Sequence, residues 1–193
     1  MNDGLTDAFR HNSWATASLV AASRHLPKEK LASTATGTYG DVVGTLNHLV
    51  LADAGYLRRL SGLEPSWLKA WEETSDLEEL ASRVEESARN WETFLSEPVD
   101  AERPILLDQG TYEAKAGVVI AQALNHGNVH REQVCAILTG LGVEPPDLQA
   151  WAWGEATGRG GGLQSLAGVT SPSSRTGTRS RSPPGPAGSR GRR

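Results

Sequence analysis

A single cysteine, Cys135, stands in 193 residues, which excludes an intramolecular disulfide, a thiolate zinc cluster and a redox pair. A reducing, cytoplasmic setting is the corresponding expectation. Nowhere do about 18 apolar residues follow one another, so no membrane-spanning helix is expected. The first residues, Met-Asn-Asp-Gly-Leu-Thr-Asp, lack the basic and apolar regions of a secretory leader. Also missing are a G-x-S-x-G nucleophile elbow, a Walker-type phosphate loop and a dinucleotide fingerprint, which leaves serine hydrolysis and nucleotide chemistry without a motif.

Charge is divided unevenly. Residues 1–158 hold all 23 acids against 12 of the 19 basic residues and so carry −11, while residues 159–193 contain 7 arginines and no acid. A globular part that acidic is not built for specific nucleic-acid binding, which needs clustered lysine and arginine. From Gly160 onward the chain is Gly, Ser, Pro and Arg with almost no large apolar side chain. Such a composition cannot bury enough surface to offset chain entropy, so a domain over 1–158 and a disordered tail over 159–193 are expected.

Four helical stretches can be read within that domain. The first spans about Thr6 to His25, with Phe9, Trp14, Ala17, Val20 and Ala21 as apolar surface and Pro27 as its stop. A second spans about Tyr39 to Leu60, where Val42, Leu46, Val50, Leu57 and Leu60 keep near-helical spacing up to Gly62. The third, about Asp76 to Ser96, opens on a capping residue and acids, and carries a stripe of Leu77, Leu80, Val84, Ala88, Trp91 and Leu95. Before the fourth, about Lys115 to Thr139, an apolar run broken at Asp108-Gln109-Gly110 predicts a short hairpin. Beyond it, Pro145-Pro146 closes the helix and Trp151-Ala-Trp153 is expected to fold back on the bundle.

Only five histidines occur, and two of them, His126 and His130, lie one helical turn apart in the fourth stretch. Residues at i and i+4 share a helix face with Cβ atoms roughly 6 Å apart, so two imidazoles there can grip one metal ion. The pair is in register with Val119, Ala123, Ile137 and Leu141, on the side that faces the core. A third ligand must come from elsewhere, and His48, in a second helix able to pack alongside, is the best candidate. His11 and His25, each beside an arginine, are read as solvated and left out. Cys135 lies five residues after His130, which turns it away from the histidine face and predicts core packing rather than a nucleophile.

Three imidazoles leave a coordination position open, the catalytic rather than the structural pattern, because water or a thiol can bind there and become more acidic. Gly127 follows His126 where an HExxH protease carries its glutamate base, so peptide hydrolysis by that route is disfavoured. On the second helix Gly44, Ala52 and Gly55 share the side of His48, describing a groove. Asp41 lies on the same side, read as a surface acid or a pocket residue. The histidine donors suit zinc, nickel, iron or manganese without choosing among them.

Phe9, Asn12 and Trp14, then Gly40 and Leu46-Asn47-His48-Leu49, and above all Asn125-His126-Gly-Asn-Val-His130-Arg131-Glu132-Gln133 give the chain a resemblance to the DinB-like superfamily over about residues 5–157. That group includes YfiT-type metal-dependent hydrolases and thiol-dependent S-transferases. The resemblance implies an all-α fold, an up-and-down four-helix bundle with a long crossover, often a homodimer, binding a divalent metal through His48, His126 and His130. It also implies activation of a low-mass thiol of mycothiol or bacillithiol type for transfer to a small electrophile in detoxification. A metal-dependent hydrolase and a non-catalytic, metal-binding stress-response dimer are the other readings.

Overall fold

The computed structural model describes residues 3–161. Helix α1 covers Asp3–Ser23, the short α2 Lys28–Leu31, α3 Val42–Ser61 and α4 Leu77–Leu95. Strands β1 (Pro104–Leu107) and β2 (Tyr112–Lys115) precede the long α5, Ala116–Gly140, and α6, Ala150–Ala156. The expected disordered tail lies, from residue 162 onward, outside the described residues. Arg159 and Gly160 still belong to the folded part, since their amides both donate to the Gly154 carbonyl at the end of α6.

Local chemistry sets the helix ends. The second expected helix starts three residues later than Tyr39, because the Asp41 carboxylate accepts from the Gly44 amide at 2.7 Å and caps α3. Asp41 is therefore a helix cap, and the reading of it as a pocket residue is corrected. At the other end Gly62, at φ +79°, takes the left-handed conformation that a β-carbon disfavours and sends its amide to the Arg58 carbonyl. Asp76 caps α4 through the Glu78 amide, with Glu78 and Glu79 in the first turn. The hairpin is present: β1 and β2 pair antiparallel from Pro104↔Lys115 to Leu107↔Tyr112.

Two buried clusters define the ends of the bundle. At one end the last turns of α1 (Leu19, Val20) and α5 (Ile137, Leu138) meet the first turns of α3 (Val42, Leu46) and α4 (Leu77, Leu80). At the other, Phe9 and Ala116 from the starts of α1 and α5 meet Leu60 and Leu95 from the ends of α3 and α4, with Ile105 and Ala114 of the hairpin closing the floor. Helices α1 and α5 thus run one way and α3 and α4 the other, with α1 packed on α4 and α3 on α5.

Because α3 and α4 are parallel, the chain must return along the bundle between them. Residues 62–76 are that long crossover. Leu68, within a 3₁₀ turn over Ser66–Leu68, buries against Leu51 and Ala54. Trp67 donates to Glu86 at 2.8 Å, and Asn47 clamps the far end by exchanging two hydrogen bonds with the backbone of Thr74. Asn47 is the neighbour of His48, so the crossover is tied down beside the candidate site. No helix among the described residues is long and apolar enough to cross a membrane.

Tryptophans of the last helix behave differently from one another. Trp153 packs edge-on to His11 at 6.1 Å, as the expected return to the bundle requires, but Trp151 is 82% exposed. His11 is not simply solvated: its Nε2 lies 2.8 Å from the Leu148 carbonyl. It stays outside the histidine cluster, as does the exposed His25.

Candidate metal centre

Antiparallel packing of α3 on α5 brings His48 against the His126/His130 pair. Ring centroids are 4.9 Å apart for His48 and His126, 4.6 Å for His48 and His130, and 4.3 Å for His126 and His130. One nitrogen from each ring falls within 4.8 Å of the others, so the three could hold a metal ion. All three histidines singled out from the sequence converge.

The donor set fits a first-row divalent ion. His48 Nε2 and His126 Nε2 are 3.0 Å apart. Two nitrogens bound to one ion at about 2.0–2.1 Å in tetrahedral or octahedral geometry also stand about 3 Å from each other. Burial holds the His48 imidazole below its ordinary pKa, and repulsion from His130 adds to this against a weaker opposite pull from Glu73. His126 is pushed down to about 4, by burial first and then by His130 and His48. Both rings are accordingly neutral near pH 7, the form a metal needs.

A surrounding shell fixes the orientation of the third ring. His130 Nδ1 is 2.8 Å from Gln133 Oε1, and since an amide oxygen only accepts, Nδ1 carries the proton and Nε2 keeps its lone pair for the site. The same Gln133 oxygen accepts from the Tyr39 amide, while its Nε2 donates to the Gly37 carbonyl. That ties the loop before α3 over the histidines. Tyr39 then stacks on His48 at 3.9 Å and meets His130 edge-on. Replacing Gln133 by alanine is expected to weaken metal binding by about 10- to 100-fold, measured by competition with a chelator.

Sequence reasoning missed what lies beneath this cluster, a polar network in the bundle centre. Asp53 of α3 accepts from Ser87 Oγ at 2.6 Å and Trp91 Nε1 at 2.9 Å, both on α4, and from Asn12 Nδ2 of α1 at 3.3 Å. Asn12 Oδ1 accepts in turn from Arg131 Nη1 of α5 at 2.8 Å, and Arg131 also donates to Thr16 and Asn128. All four long helices meet here. Burial raises the Asp53 pKa in spite of its donors, and lowers that of Arg131 to about 10 against the pull of Asp53. The signal was present in the helix registers: Asp53 follows the stripe Leu46, Leu49, Val50, and Arg131 falls between buried Gly127 and Val134.

Gly127 joins the network to the metal site. A β-carbon there would lie 2.5 Å from Asn12 Oδ1 and 2.9 Å from Arg131 Nη1. Only glycine lets those two groups meet beside the histidine pair. The position where a zincin places its glutamate has no room for one, so the doubt raised by the sequence about HExxH hydrolysis now has a steric cause.

Cys135 takes no part. It is half-buried against the apolar cluster at the end of α5, and burial, with Glu132 adding, pushes its thiol up to about 11. Reaction with a disulfide reagent at pH 7.5 is expected to be much slower than that of free cysteine and to gain speed only well above pH 9. A fast reaction at neutral pH would show an activated thiol instead.

A cavity of about 470 Å³ opens from the two histidines His48 and His126. Ala52, Tyr56 and Arg59 of α3, Val118, Val119 and Gln122 of α5, Trp71 of the crossover and Tyr112 of the hairpin are among its lining residues. Of the small residues around His48 from which a groove is read, Ala52 lines this cavity, while Gly55 is packed against Arg59 and the Trp71 indole and Gly44 against its cap Asp41. Protein DinB of Bacillus subtilis (strain 168) is 22% identical, in an alignment covering 74% of this chain and 88% of that protein. The profile of the DinB family matches residues 1–160, and the chain belongs to that family.

Proposed function

We propose that the protein is a metal-dependent enzyme that activates a low-mass thiol, of mycothiol or bacillithiol type, for transfer to a small electrophile in detoxification. One observation carries the reading: three imidazoles converge with no fourth histidine, cysteine or carboxylate in their group among the described residues, and the site opens on a cavity large enough for a small molecule. A divalent ion held by His48, His126 and His130 would supply Lewis acidity, turning a bound thiol into thiolate near neutral pH.

The chain's own residues do the rest. Gln133 fixes the His130 tautomer, and Tyr39 stacks on one face of the His48 ring. Val118, Val119, Ala114 and Leu107 give the cavity apolar walls that displace water from a bound electrophile, while Tyr56 and Gln122 offer hydrogen bonds. Cys135, with its raised pKa, leaves the nucleophile to be brought in as a cosubstrate. Water-based hydrolysis is less well served, because Gly127 occupies the position of the missing base.

Incubating the metal-loaded protein with a low-mass thiol and monochlorobimane tests the reading. Conjugation faster than in the protein-free mixture, and lost on removing the metal, is the expected result. Ester hydrolysis without conjugation would replace it by a hydrolase, and silence in both assays by a non-catalytic metal protein.

A further inference from the structure

Among the described residues Arg59 is the one lysine or arginine in the cavity lining, and no carboxylate pairs with it. Its neighbour Arg58 pairs with Glu64 at 2.7 Å, outside the cavity lining. Arg59 has no ion pair among the described residues; its hydrogen bond runs from Nη1 to the Gly55 carbonyl at 2.9 Å. Asp108, the acid of the lining, lies at the hairpin tip and forms no ion pair with it. One bond to Gly55 leaves most of the guanidinium's five N–H groups unused.

That single bond also aims the side chain. By reaching back one turn to Gly55, the guanidinium lies at the level of residue 55 on the face that carries His48, Ala52 and Tyr56. Seven residues separate that level from His48, about 10 Å along the helix at 1.5 Å per residue. Gly55 makes the placement possible, since a β-carbon there would stand 3.2 Å from Arg59 Nη1 and 3.3 Å from Trp71 Cη2. Trp71, held at φ +50°, closes this end of the cavity with its indole. The cavity thus has a metal site at one end, a fixed fork of donors at the other, and apolar walls between.

We infer that the substrate is an elongated anion, with a metal-binding head on the histidines and a carboxylate or comparable anionic group bound by Arg59 about 10 Å away along α3. This rests on the thiol reading above for the nature of the head, and adds the tail. Such a molecule is held at both ends, so its length as well as its charge decides affinity. A charge-assisted hydrogen bond in a partly buried site favours the charged tail over a neutral one by about tenfold.

Thiols of defined length test this on the full-length protein loaded with cobalt, where thiolate binding is read from the sulfur-to-metal absorption band. 2-Mercaptoethanol reports whether the metal takes a thiol at all; no band with it overturns the thiol reading and this inference together. With the band present, 6-mercaptohexanoate is expected to bind about tenfold more tightly than 6-mercaptohexan-1-ol, and more tightly than the shorter 3-mercaptopropionate. Arg59→Met should bring acid and alcohol to equal affinity, and Arg59→Lys should restore part of the difference. Equal binding of acid and alcohol by the wild type, which needs no variant to fold, would overturn the inference while leaving the thiol reading intact. So would a preference for the acid that survives in Arg59→Met.

Discussion

Replacing His126 by alanine is expected to yield a folded protein that no longer retains metal through gel filtration, where the wild type keeps one ion per chain. His126 is half-exposed at the cavity rim, so its loss leaves the core intact, but the remaining His48 and His130 offer only two nitrogens. Dropping one ligand of three costs an ion several orders of magnitude in affinity, well beyond the Gln133 effect, because a direct bond is lost rather than its orientation. The same substitution changes the response to acid. His126 titrates at about 4 in the folded metal-free protein against 6.5 as the ordinary value. Its folded pKa is lowered, so the unfolded chain binds the proton more readily, and stability present above pH 6.5 is lost as pH falls through about 4. Thermal melts of the metal-free protein should therefore fall over that window, and fall less steeply in His126→Ala. Retained stoichiometric metal in the variant would remove His126 from the ligand set.

Gly127→Ala is expected to be among the most destabilising single-carbon additions to this chain. Alanine favours a helix interior over glycine by about 1 kcal/mol, and on propensity alone the change would stabilise α5. The opposing terms are larger. A β-carbon 2.5 Å from Asn12 Oδ1 cannot be accommodated unless Asn12 or Arg131 moves, and each is buried and bonded to several partners. Overpacking costs about 1–3 kcal/mol, and a broken hydrogen bond to a buried charge about 1.5–3 kcal/mol more. A net loss of about 2–4 kcal/mol follows, seen as a drop in melting temperature of roughly 5–15 °C for a domain of this size. A variant as stable as the wild type would show that the Asn12–Arg131 contact is not what holds α1 to α5.

Much of this was legible before any coordinates. Helical periodicity, a cap at Ser75 or Asp76 and the stop at Gly62 announced the bundle, the structure choosing Asp76, and Asp108-Gln109-Gly110 announced the hairpin, whose tip residues do take positive φ. His126 and His130 were legible because a shared helix face is a local property of a spacing of four. His48 needed the further assumption that two helices pack side by side, and they do. What stayed hidden depends on long-range convergence. Tyr39 reaches the histidines only because Asp41 starts α3 late and leaves residue 39 free to fold over His48. Trp71 and Arg59 meet through Gly55, a contact between the crossover and α3 that no periodicity encodes. Asp53 and Arg131 are charges set among the buried residues of α3 and α5, and nothing in the sequence alone pairs them. Their partners, Asn12, Thr16, Ser87 and Trp91, come from two other helices, and only with all four in place does burying those charges become tolerable.

X-ray absorption at the edge of the bound metal, on the full-length protein with and without added thiol, tests the central claim most directly. The account predicts three imidazole nitrogens at about 2.0–2.1 Å together with an exchangeable light atom that gives way to sulfur at about 2.3 Å when thiol is added. Fewer than three imidazoles, or a first shell that the thiol leaves unchanged, would contradict it.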